Sequence, residues 1–156
     1  MTIGYNLSSC VIDLHAKVET NLYRKSNQRN DENAELITQM DDLHRLLSAI
    51  NTHRDTRKNS IDFHDSEEIK DLINKVRGYA PDLMEPYTYS WQGEEDIKGL
   101  VENLNNYIKT ITPKMAEKGI EIQQMLHELN QLLDIVAETA KNDRNSTNAI
   151  IRKLLN

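Results

Sequence analysis

Between residues 100 and 136 the apolar side chains return every three and four places. They are Val101, Leu104, Ile108, Ile111, Met115, Ile122, Met125, Leu129, Leu132 and Val136. All ten fit one heptad frame, with Leu104, Ile111, Met125 and Leu132 on the d line and the others on the a line. The pattern predicts a long helix over 94–156 whose narrow apolar seam supercoils left-handedly against another helix. Each fully buried Leu, Ile or Met is worth about 1.5–3 kcal/mol. The seam therefore demands a covering helix from this chain, from a copy of it, or from another protein. A core change such as Leu129→Ala is expected to cost about 2–5 kcal/mol, and Glu128→Ala little.

A second apolar line runs through Leu7, Val11, Leu14, Val18 and Leu22, with Ser8 or Ser9 available as N-cap and residues 1–6 reading as a frayed tail. Residues 24–35 are almost wholly polar but contain no Pro or Gly, and Leu22, Arg29, Leu36, Leu43 and Ile50 continue in steps of seven. One helix over 7–52 with a polar middle follows. Its second half, with Leu36, Met40, Leu43, Leu47 and Ile50, is the natural partner for the C-terminal seam. Two long helices joined by a middle segment pack most simply as an antiparallel hairpin. The expected fold class is all-α: an antiparallel coiled-coil hairpin with a small irregular and helical insert, forming a single elongated domain over 1–156.

The insert spans 53–93. Its first eight residues are charged and aperiodic, and Ile61 and Phe63 alternate too briefly for more than an extended piece. Asp65 followed by Glu68 resembles a capping box, and Ile69, Leu72, Ile73 and Val76 give one apolar face, so a short helix is expected over 65–78, ending at Gly78. Pro81 and Pro86 forbid its continuation. Residues 79–93 hold Tyr79, Tyr87, Tyr89 and Trp91 and read as an ordered, irregular loop. Glu94, Glu95 and Asp96 suit the first turn of the last helix. Pro113 predicts a kink or short break at 110–112, with Gly119 close behind. Past Val136 the seam positions turn polar, and Ile150, Ile151, Leu154 and Leu155 then form a detached apolar end, a candidate contact with a neighbouring chain.

The remaining composition narrows the chemistry. Net charge is −6, which gives no general attraction to nucleic acid or to an anionic membrane. No run of 18 apolar residues could span a bilayer, so stable membrane insertion is not expected. The start lacks the pattern of a cleaved secretory signal. Cys10 stands alone and reads as a small apolar filler. His127 would need a second His at Gln131 for a zinc-protease pair, and Asp62, His64 and Asp65 read as a solvated turn. There is no phosphate loop or nucleophile elbow. The expectation is a non-enzymatic protein without cofactor or metal, whose partners are other protein chains.

One further pattern lies in the last helix. The run Asp96-Ile97-Lys98-Gly99-Leu100, then Asn105-Asn106, then Gly119-Ile120-Glu121-Ile122-Gln123-Gln124-Met125 with Leu129-Asn130, resembles the C-terminal helix of type III secretion filament and needle-tip proteins, the EspA/SseB group and more loosely the LcrV group. The likeness covers 65–156. The chain departs from that pattern in being shorter and in lacking a markedly apolar stretch before its first long helix. The resemblance implies an exported tip or filament subunit that acts through coiled-coil assembly. Its partners would be its own copies, needle or translocator proteins, or a cognate chaperone. It would be cytoplasmic before export, secreted without a cleaved signal peptide, and found at the bacterial surface. The alternative is a cytosolic type III secretion chaperone or coiled-coil adaptor.

Overall fold

A computed structural model describes the backbone of residues 3–155 and the side chains of residues 13–155. The chain is mostly helical, with two long helices and one short one: α1 (Ile3–His53), α2 (Glu67–Tyr79) and α3 (Glu94–Leu154). The expected all-α character holds, and the insert differs in one detail: β1 (Ser60–Asp62) and β2 (Ser90–Gln92), read as an extended piece and an irregular loop, pair as a two-stranded antiparallel sheet. The helix is described from Ile3, within the stretch 1–6 that was expected to be a frayed tail. The side chains of Leu7, Ser8, Ser9, Cys10 and Val11 lie outside the described residues.

The polar stretch 24–35 is helical throughout. Nothing in it breaks a helix, and local pairs support the exposed faces around it. Lys17 Nζ lies 2.9 Å from Asp13, one turn away, and the Thr20 and Thr38 hydroxyls donate to the carbonyls of Ala16 and Ala34. α3 likewise runs unbroken through Pro113 and Gly119, where a break near 110–112 was expected. The proline removes one backbone donor. The carbonyl left without its helical donor is that of Lys109; in the same turn the Thr112 hydroxyl donates to Ile108 O at 2.8 Å and the Thr110 hydroxyl to Tyr107 O at 2.7 Å.

The chain divides into two compact units: Met1–Asp31 with Lys118–Asn156, and Glu32–Glu117. The second holds the hydrophobic core. Leu43, Leu46 and Ile50 of α1 share it with Ile97, Leu100, Leu104 and Ile111 of α3, and the insert closes it with Ile61, Phe63, Ile69, Leu72, Ile73, Val76, Met84 and Trp91. The strands are short but decisive here, because pairing Ile61 with Trp91 drives both side chains inward while Asp62 and Gln92 stay in water. Phe63 continues this layer, edge-on to Trp91 at 6.2 Å.

Local chemistry fixes the insert. Asp55 Oδ1 accepts from the backbone N–H of Arg57 and Lys58, and Asn59 takes a left-handed φ of 46°, so the charged stretch after α1 folds as a tight turn into β1. α2 starts one residue later than the Asp65 reading: Ser66 is the N-cap, its hydroxyl accepting from Ile69 N, and Glu67 and Glu68 fill the first turn. Gly78 does not end it. The helix runs to Tyr79, and Ala80 N–H still reaches Val76 O at 2.8 Å before Pro81 opens a 3-10 turn. Gly93, at a φ of 96°, donates to Asn59 O at 2.8 Å and presents its carbonyl to Ile97 N, so β2 turns directly into α3.

Candidate interaction surface

The ten seam residues fall into two groups. In the unit Glu32–Glu117, Leu104 and Ile111 are fully buried, and Val101, Ile108 and Met115 pack half-buried against the same core. In the unit formed by Met1–Asp31 and Lys118–Asn156, Ile122, Met125, Leu129, Leu132 and Val136 are each half-buried, and none is enclosed. Ser26 is the only buried side chain among the described residues of that unit.

The reason lies in what α1 supplies. Over 13–31 its inward positions are His15, Leu22, Ser26 and Arg29, and only Leu22 is aliphatic. Val18 and Leu14 of the expected apolar line stay exposed, Leu14 at 63%. Arg29 Nε lies 2.9 Å from Glu121 Oε2, both about one-third exposed, so a polar pair stands where α3 offers a hydrophobic seam. The step-of-seven pattern had included Arg29, but nothing in it named Glu121 as its partner.

α3 carries more apolar surface than its own unit covers. Leu126 and Leu133 are 46% and 45% exposed, and Ile120 and Ile135 are comparably open. From Ala140 to Leu155 every residue is exposed, including Ile150, Ile151, Leu154 and Leu155, of which Leu154 reaches 79%. These four share one stretch of helix end. The pair Leu126 and Leu133, one position after Met125 and Leu132, was not singled out by the heptad because it lies beside the seam rather than on it.

The polar clusters are local. Asp62 Oδ1 accepts from His64 N–H at 2.9 Å and pairs with His64 Nδ1 at 2.6 Å, and the backbone hydrogen bond from His64 is the main cause holding this carboxyl below its ordinary value. Gln131 Nε2 lies 3.0 Å from His127 Nε2. No group of three or more His, Cys, Asp or Glu able to hold a metal occurs among the described residues. No described helix is long and apolar enough to cross a membrane.

Sequence reasoning missed an aromatic clamp beside the sheet. Arg77 stacks 3.6 Å from the Tyr87 ring centroid and 4.9 Å from that of Tyr89, while its Nη2 donates to Thr88 O at 2.5 Å. The guanidinium thereby holds residues 87–89 against α2. Tyr79 stacks on Tyr107 with centroids 6.4 Å apart and donates to Gln39 O at 3.3 Å. Burial, reinforced by the charge of Asp42, pushes its phenol well above the usual value. These groups order the insert and present no convergent acid, base and nucleophile. No protein-family model, no curated protein and no solved structure matches the chain.

Proposed function

We propose that the protein is a structural, non-enzymatic component of a type III secretion system, an exported needle-tip or filament subunit that works by coiled-coil assembly. Two long helices, α1 and α3, meet as an antiparallel hairpin in this reading, with the seam from Val101 to Val136 as its spine. The observation that carries the assembly is the uncovered apolar surface of α3. Five seam residues are only half-buried, Leu126 and Leu133 lie open beside them, and the end from Ile150 to Leu155 is bare. Surface of this kind on a helix marks a protein contact. The secretion role rests on the run from Asp96 to Asn130 and its likeness to filament and tip proteins.

The second reading, a cytosolic secretion chaperone or coiled-coil adaptor, draws on charge. The unit Glu32–Glu117 holds 17 acidic and 10 basic residues, an acidic body suited to a partner's basic helix. Location separates the two. An epitope-tagged chain expressed in a type III-competent strain should accumulate in the culture medium and at the cell surface, and stay in the pellet of an export-deficient mutant. Retention in the pellet of both strains sinks the exported role and favours the chaperone.

A further inference from the structure

Resting on the assembly reading above, we propose that the partner of α3 is a second copy of this chain, paired antiparallel about a two-fold axis at Ala140. Leu126, Leu133, Ala140, Thr147 and Leu154 are spaced by sevens and so form one row along the helix, in steps of about 10.5 Å. Every member is apolar or small, and Leu126, Leu133 and Leu154 are exposed at 46%, 45% and 79%. Ile150 and Ile151 flank the distal end of the row. The row is also symmetric. Leu126 and Leu154 lie equally far from Ala140, as do Leu133 and Thr147, so reversing one copy sets Leu126 over the partner copy's far leucine and alanine over alanine at the crossing. Small residues at a crossing let two backbones approach closely.

Charge chooses the direction. Residues 118–138 carry Glu121, Glu128, Asp134 and Glu138 against one basic residue, Lys118. Residues 139–155 carry Lys141, Arg144, Arg152 and Lys153 against one acidic residue, Asp143. An antiparallel copy lays each stretch beside its opposite, whereas a parallel copy lays like on like. The whole unit, Met1–Asp31 with Lys118–Asn156, holds 8 acidic and 9 basic residues, so two such units meet without bulk repulsion. A two-fold contact of this kind is self-complementary and closes at the dimer.

The test uses the full-length chain in a Cys10→Ser background, with Ala140→Cys, Leu126→Cys and Leu154→Cys made singly. Circular dichroism checks that each variant folds. Under mild oxidation Ala140→Cys should cross-link to itself. Leu126→Cys and Leu154→Cys should each stay largely monomeric on a non-reducing gel, and their equimolar mixture should yield a heterodimer. Light scattering of the Cys10→Ser protein should give a dimer mass that dissociates as salt rises, and Leu126→Asp/Leu154→Asp should raise the dissociation constant on the order of 30-fold or more. Self-cross-linking of Leu126→Cys as fast as the mixture would mean parallel pairing and overturn the proposal. A monomer mass at every concentration would overturn it as well. A monomeric protein that still reaches the medium removes this pairing and leaves the exported role standing. A cross-linked Ala140→Cys protein confined to the pellet does the reverse.

Discussion

Truncating one leucine in each stretch of the α3 seam measures how differently the two are covered. Leu104 is fully buried in the core cluster that α1, α2, α3 and the sheet build together, so Leu104→Ala leaves a cavity that close-packed neighbours cannot fill. Its cost should be about 2–5 kcal/mol. Leu129 occupies the same heptad seam but is only half-buried, and no buried aliphatic lies in its unit among the described residues. Half of the roughly 1.5–3 kcal/mol transfer value, with little cavity term, puts Leu129→Ala near 1 kcal/mol, below what the seam pattern alone implied. Urea melts followed by far-ultraviolet circular dichroism at low micromolar protein would resolve that gap, since each variant is compared at constant m. Repeating the melts at a hundredfold higher concentration adds a second reading. Coverage by another copy adds stability by mass action, so the loss at Leu129 should grow with concentration while that at Leu104 stays fixed. Equal losses for both variants at low concentration would refute the reasoning, because they would require the C-terminal seam to be as enclosed as the core.

Three further expectations follow from the insert and its ends. Ser66→Ala removes the side-chain acceptor that meets Ile69 N at the start of α2 and should cost about 1 kcal/mol in thermal or urea melts, with Ser66→Asp restoring most of it. Gly93→Ala meets no atom within 4 Å, yet it forces a side chain into a left-handed backbone, so it should lose roughly 1–2 kcal/mol through conformation alone; an unchanged melt would show that the turn relaxes. Tyr79 holds its proton more tightly folded than unfolded, so its share of stability is complete below its ordinary pKa of 10.0 and is lost as pH rises beyond that. Tyr79→Phe should flatten the alkaline decline seen in urea melts between pH 9 and about 11, and a decline as steep as in the wild type would remove Tyr79 as its cause.

The long helices were legible because their signal is periodic and long. Leu36, Leu43 and Ile50 on one side and Val101 to Met115 on the other repeat often enough to define a face, and those faces meet in one core. What the sequence hid is held by single contacts between distant residues. Ile61 and Trp91 are 30 positions apart in chains of three residues each, too short for a period of two to register, so the sheet was seen only as an extended piece and a loop. The cap at Ser66 was displaced by Asp65 because both residue types cap well and only backbone geometry decides. Pro113 suggested a break because its cost in an isolated helix is about 3 kcal/mol, but Ile111 and Leu104 are anchored in the core just before it, and tertiary packing outweighs that local preference.

The candidate surface was half legible for a related reason. A heptad states which side of a helix is apolar but not how much of that side the facing helix can cover. Over 100–115 α3 faces aliphatic residues of α1 and the insert, and Leu104 and Ile111 are sealed among them. Over 122–136 the facing stretch of α1 contributes His15, Ser26 and Arg29 with Leu22 as its one inward aliphatic, and Arg29 pairs with Glu121. A polar pair beside the seam stabilises little by itself, but it penalises any shift of register that would leave either charge against the aliphatic residues next to it. Polar residues in the middle of the first helix thus favour one alignment of the two helices in this unit, while Leu126, Leu133 and the distal end of α3 stay exposed.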